Sequence, residues 1–136
     1  MIWPESAVTA LEPYAQDVLN TMEQSASVND SALITGIIDY DRLNDAFYNS
    51  VIVLDDDTYQ YGGENRYQKH HLLPIGEFVP FEDILRPIAP LFNLPMSSFS
   101  RGGYQQPNLE ANNRKLSMAI CYEIAFPQQV RDNTFE

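Results

Sequence analysis

Apolar residues at helical spacing open this chain, two largely apolar runs follow, and a proline-rich stretch separates them from a last apolar segment. Leu11, Ala15, Val18, Leu19 and Met22 recur every three or four positions with polar residues between them. That period predicts an amphipathic helix over residues 11–26, with Pro13 in its first turn. Residues 32–40 and 47–54 are rich in β-branched and aromatic side chains and predict consecutive strands joined by residues 41–45. Tyr59, Gln60 and Tyr61 extend that hairpin as far as Gly62 and Gly63. Further strands are expected at Ile2-Trp3-Pro4, at 65–73 and at 114–121, the last followed by a helix-compatible stretch over 124–130. Pro80, Pro87, Pro90, Pro95 and Pro107 make most of residues 80–107 irregular, with one short helix at 81–86. There is no internal repeat and no low-complexity tract.

Composition narrows the class. With 136 residues, 44% of them hydrophobic, the chain has material for one globular domain with a core. Its 19 acidic and 8 basic side chains leave a net charge of −11, which argues against holding nucleic acid or an anionic membrane surface by charge attraction. Asp55, Asp56 and Asp57 lack the alternating acidic positions, central glycine and distal glutamate of a calcium loop, and read as a solvated turn. No apolar run approaches the roughly 18–20 residues that cross a bilayer, so the chain as it stands reads as soluble. It starts without a charged leader or signal core and stops shortly after its last predicted strand, and so reads as an excised piece.

Three reactive side chains stand at the ends of predicted strands: Glu5 after Trp3-Pro4, Lys69 after Tyr67-Gln68, and Cys121 after Ala119-Ile120. In an α/β fold, strand ends are where distant parts of the chain converge on one pocket. Cys121 is the only cysteine, and a lone cysteine is more often a small buried hydrophobe than a nucleophile. Were the three to meet, the carboxylate would take the thiol proton and the ammonium would stabilise the oxyanion of an acyl-transfer intermediate, together with a backbone N–H such as that of Tyr122.

The flanking words sharpen this. Trp3-Pro4-Glu5-Ser6-Ala7, then residues 67–80 with Lys69-His70-His71-Leu72-Leu73-Pro74-Ile75-Gly76-Glu77, and then Ala119-Ile120-Cys121-Tyr122-Glu123 resemble, in order and spacing, the three signatures of the nitrilase, or carbon–nitrogen hydrolase, superfamily. Gly76-Glu77-Phe78-Val79-Pro80-Phe81-Glu82, Leu94-Pro95-Met96-Ser97-Ser98-Phe99-Ser100-Arg101-Gly102 and Cys121-Tyr122-Glu123 resemble its branch that N-acylates bacterial lipoproteins. The resemblance covers essentially the whole chain.

It implies a nitrilase-like αββα four-layer sandwich, of which residues 1–136 would be the central part of the domain, without its N- and C-terminal parts and without any transmembrane helices. It implies Glu5 as general base, Lys69 as oxyanion stabiliser and Cys121 as nucleophile, with Glu77, Tyr122 and Glu123 in support; core packing for Tyr122 and a buried structural hydrogen bond for Glu123 stay open beside those roles. It implies no cofactor and no metal, and His70 and His71, adjacent on a strand, face opposite ways and suit no single ion.

The implied reaction takes an acyl chain from a phospholipid as a Cys121 thioester and passes it to the N-terminal amine of a diacylglyceryl-modified apolipoprotein. The implied place is the bacterial inner membrane, reached through parts outside this chain, with the catalytic domain in the periplasm. Residues 87–96 would offer a membrane-facing apolar loop or simply cover the sheet, and the isolated piece is expected to be inactive. Two other readings remain: a soluble nitrilase-type amidase that passes its thioester to water, and a non-catalytic interaction module on the same fold.

Overall fold

The two apolar runs become the central hairpin of a four-stranded sheet of order β1-β2-β3-β4. The structure is a computed structural model describing residues 1–55, 58–74, 76–78 and 98–134. Strand β1 (Val8–Leu11) leads through a 3₁₀ turn (Glu12–Tyr14) into helix α1 (Gln16–Val28), and then into β2 (Leu33–Asp41), which runs parallel to β1. Parallel neighbours need a crossover of this kind, and α1 supplies it. β3 (Ala46–Leu54) pairs antiparallel with β2 in register from Leu33 opposite Leu54 to Asp41 opposite Ala46, and β4 (Arg66–Gln68) pairs antiparallel with β3. The connection at 41–45 is set by Asp41, whose Oδ1 accepts the N–H of Leu43 at 2.8 Å, and by a stack of Tyr40 on Phe47 across the strands.

Alternation splits the apolar runs between two cores. Leu33, Ile37, Ile52 and Leu54 face Val8, Ala15 and Leu19 on the α1 side, while Ile34, Val51 and Val53 face Tyr67, Leu109, Ala111 and Ile120 on the other. The second layer comes from a separate hairpin, β5 (Leu109–Ala111) with β6 (Arg114–Leu116). Its two-residue turn is Asn112 and Asn113 at φ 48° and 57°, the left-handed pair that a tight hairpin favours. A 3₁₀ helix (Cys121–Ala125) and helix α2 (Pro127–Thr134) complete the described chain. The class is α/β, as expected. No helix among the described residues is long and apolar enough to cross a membrane.

Several boundaries differ from the sequence expectation, each for a local reason. The helix begins at Gln16 rather than at residue 11 because Pro13 sits in the preceding 3₁₀ turn and Val8–Leu11 is taken into the sheet. Ile2 forms only an isolated parallel bridge to Ile34. Tyr59 is outside any strand: its N–H goes to Glu23 Oε1 at 2.8 Å and its hydroxyl to Glu12 Oε1 at 2.7 Å. The strand expected over 65–73 is only Arg66–Gln68, since the N–H groups of His70 and His71 are taken by a carboxylate, that of Glu123, instead of a neighbouring strand. The last strand stops at Leu116, not at Cys121, and the Ile120 N–H is likewise spent on Glu123. The helix at 81–86, the apolar loop at 87–96 and part of the acidic turn lie outside the described residues.

A buried polar strut holds β4 in place. Arg66 reaches Glu12 with Nη1 at 2.7 Å and Nη2 at 3.1 Å, and Asp39 with Nη1 at 3.0 Å. Asp39 also accepts from Gln68 Nε2 at 2.9 Å. Removing one member of such a buried pair costs about 3–5 kcal/mol, because the other is left uncompensated. Lys69 follows directly on this anchored strand.

Candidate active site

Lys69 is the centre of the first cluster. Its N–H continues the ladder to Asn49 O at 2.8 Å, and its side chain is 1% exposed. Nζ lies 3.3 Å from Glu5 Oε1 and 2.8 Å from Glu77 Oε2. Asn49 Nδ2 ties the two carboxylates together, donating to Glu5 Oε1 at 2.6 Å and Glu77 Oε1 at 2.8 Å. Burial works against the Lys69 charge, but the hydrogen bonds and charges of Glu77 and Glu5 outweigh it and hold the ammonium above its ordinary value. A group so held is an electrostatic stabiliser and a poor base. Burial also opposes the Glu77 charge, and the bonds from Lys69, the Leu73 N–H and Asn49 win there too, holding Glu77 below the usual carboxylate range.

Backbone packing places Glu5. The segment carrying it crosses β2 at Gly36, where a Cβ would come within 2.8 Å of Glu5 Cα and 2.5 Å of Ser6 N. Only glycine admits that approach.

Cys121 occupies the first position of the 3₁₀ helix, directly after buried Ile120, and is itself exposed. Its φ is +52°, a left-handed conformation uncommon for a non-glycine residue. Glu123 pins the turn around it. That buried carboxylate accepts the N–H of Ile120 at 2.8 Å, the hydroxyl of Tyr67 at 2.9 Å, and the N–H groups of His70 at 2.7 Å and His71 at 3.0 Å. The turn bearing Cys121 and the strand end bearing Lys69 are thereby fastened to the same two oxygens. Burial, then Glu123, push Tyr67 well above an ordinary phenol, so it remains a donor.

An aromatic layer flanks this junction. The His71 ring stacks on Phe126 at 3.8 Å, Phe126 meets Tyr122 edge-on at 5.1 Å, and His70 meets Tyr104 edge-on at 5.4 Å. Tyr122 is 42% exposed, so it packs at the rim and not in the core. Burial, then the neighbouring His70 and Arg101, hold His71 below its ordinary value. Among the described residues no three or more His, Cys, Asp and Glu are arranged to hold a metal ion.

Of the residues singled out from sequence, Glu5, Lys69 and Glu77 are in direct contact, and Glu123 links the Cys121 turn to Lys69's neighbours. Asn49 and Gly36 were given no role in the site from the sequence. For Asn49 a signal existed, since asparagine is depleted inside strands and this one interrupts the second apolar run.

The profile of the family described as carbon–nitrogen hydrolase matches residues 1–134. The chain belongs to that family, and its mixed α/β architecture is a partial nitrilase-like fold. Among curated proteins it is 54% identical over 98% of its length to the apolipoprotein N-acyltransferase of Shewanella oneidensis. The proteins of the same name from Photobacterium profundum and Pseudomonas aeruginosa are 51% and 38% identical over 98% and 94% of this chain. The chain spans about a quarter of these relatives, 27%, 26% and 24% of their lengths.

Proposed function

We propose that this chain carries the acyl-transfer site of an apolipoprotein N-acyltransferase. The observation that bears most weight is a buried ammonium gripped by Glu5 and Glu77, on a strand end that Glu123 fastens to the turn of an exposed, backbone-strained cysteine. The names of the relatives support the choice of reaction.

In this reading Glu5 takes the Cys121 thiol proton as sulfur attacks the ester carbonyl of a phospholipid. The Lys69 ammonium and the Tyr122 N–H stabilise the oxyanion. Collapse breaks the C–O bond, the departing lysophospholipid oxygen recovers the proton from Glu5, and a thioester remains. The N-terminal amine of a diacylglyceryl-modified apolipoprotein then attacks the thioester, giving its proton to Glu5. An amide forms, and the released thiolate regains that proton. Glu77 sets the position of Lys69, and Tyr122 and Glu123 shape the nucleophile's turn. Such substrates place the whole protein at the bacterial inner membrane, with this domain on the periplasmic side.

The test is intact-mass analysis of the full-length protein incubated with phospholipid, followed by addition of a lipopeptide amine. The expected result is an acyl adduct on Cys121 that the amine converts to amide. Cys121→Ala abolishes the adduct, and Lys69→Ala or Glu5→Ala slows it by about a hundred- to a thousandfold. Free fatty acid in place of amide would favour the amidase, and an unmodified thiol in the folded protein would favour an interaction module.

A further inference from the structure

The segment over residues 99–102 belongs to a sequence motif that the chemistry above leaves without a task. Its backbone is pinned at three points: Phe99 N–H to Glu77 O at 2.8 Å, Ser100 N–H to Phe47 O at 2.7 Å, and Gly102 N–H to Lys69 O at 3.0 Å. His70 Nδ1 lies 2.7 Å from Gly102 O. Gly102 is obligatory there, because a Cβ would run into the Gln68 carbonyl. Between these anchors the Arg101 side chain is exposed, with its guanidinium carbon 5.2 Å from the centroid of the Phe78 ring. Phe78 directly follows Glu77, and Gly102, directly after Arg101, is bonded to the Lys69 carbonyl. Arg101 therefore stands beside the cluster on a fixed base.

We propose that Arg101 binds the phosphodiester of the phospholipid donor and so orients the donor's ester toward Cys121. The proposal rests on the acyl-transfer reading. Its first ground is charge. Lys69 is already shared by two carboxylates, so the cluster carries an excess of negative charge, in a chain of net charge −11. A phosphate entering that cluster is repelled, and a donor with one must rest it on another cation. The second ground is covalent geometry: in a glycerophospholipid only the glycerol backbone separates acyl ester from phosphate, so the phosphate has to lie next to the acylation site and outside it. The third is the guanidinium itself. Its carbon lies within cation–π range of the Phe78 ring face, and a guanidinium presents its N–H donors in the planar fork that suits two phosphate oxygens at once.

The experiment uses the full-length protein in detergent micelles and follows thioester formation on Cys121 with two donors of the same acyl chain, a glycerophospholipid and the corresponding diacylglycerol, which lacks phosphate. The quantity read is the ratio of kcat/KM for the phospholipid to that for the diacylglycerol. Arg101→Gln is expected to lower this ratio about ten- to a hundredfold, through KM, as befits loss of charge-assisted hydrogen bonds. Arg101→Lys, which keeps the charge but not the fork, is expected to fall between. An unchanged ratio in Arg101→Gln, including one produced by equal losses with both donors, overturns the proposal. If the wild-type protein takes no acyl group from the phospholipid, the acyl-transfer reading fails first, and the proposal with it.

Discussion

Glu123 Oε1 accepts the backbone N–H of His70 at 2.7 Å across 53 positions of sequence. This bond joins the turn that carries Cys121 to the residue after Lys69. With Tyr67, His71 and Ile120 on the same carboxylate, Glu123 satisfies four donors with one side chain, those of Tyr67 and Ile120 buried and those of His70 and His71 partly so.

Glu123→Ala should consequently do more than remove a contact. Each buried donor left unpaired costs about 1–3 kcal/mol, and an overall loss of at least about 3 kcal/mol is expected in urea unfolding of the intact protein. Glu123→Gln should lose less, since its single carbonyl oxygen still accepts. Iodoacetamide labelling of Cys121 in native conditions should change in both variants as the turn relaxes. Wild-type stability in Glu123→Ala would refute the fastening role.

Asn49 separates two carboxylates by donating to each. In Asn49→Asp that donor becomes a third anion around one ammonium, and one of the carboxyl groups is driven to bind a proton. A raised carboxyl value withdraws stability as pH rises through it, so the melting temperature of the variant should fall relative to wild type between about pH 5 and pH 8. Parallel melting curves of the two proteins across that range would rule this out.

Gly36 is the floor under Glu5. Gly36→Ala brings a methyl within 2.8 Å of Glu5 Cα, and the overpacking should cost about 1–3 kcal/mol. Because Glu5 rides on the displaced segment, acylation of Cys121 should slow by about a hundredfold, the usual penalty for misplacing a reacting group by an ångström. Stability and acylation rate measured on the same preparation decide whether the two losses travel together.

The Glu77 and Lys69 pair also sets a pH window. Glu77 is held below its ordinary value of 4.5, so its contribution to stability is complete above that pH and is lost as pH falls through the lowered folded value. Lys69 is held above 10.5, so its contribution is complete below that pH and is lost as pH rises through the raised one. Glu77→Gln should flatten the acid limb of a plot of melting temperature against pH. An acid limb as steep as that of wild type would show that other carboxylates govern it.

Local pattern alone was sufficient for the central hairpin and for most of α1. Alternation and the 3.6-residue period are short-range properties, and burial of the resulting faces rewards them directly; Leu19, fully buried, is worth about 2 kcal/mol on that account. The meeting of Glu5 with Lys69 was legible too, because reactive side chains flanked by recognisable words stand near the ends of apolar runs. The Asn112-Asn113 turn could have announced the β5 and β6 hairpin, since adjacent asparagines tolerate positive φ. What the tertiary structure alone decided is which buried polar atom meets which. Asn49 reaches residues 44 and 28 positions away, Glu123 collects the N–H groups of His70, His71 and Ile120, and Arg66 finds Glu12 across 54 positions. No periodicity encodes such pairings. They follow from the cost of leaving a donor or acceptor unpaired away from water, a cost that can be minimised only when the whole chain is folded.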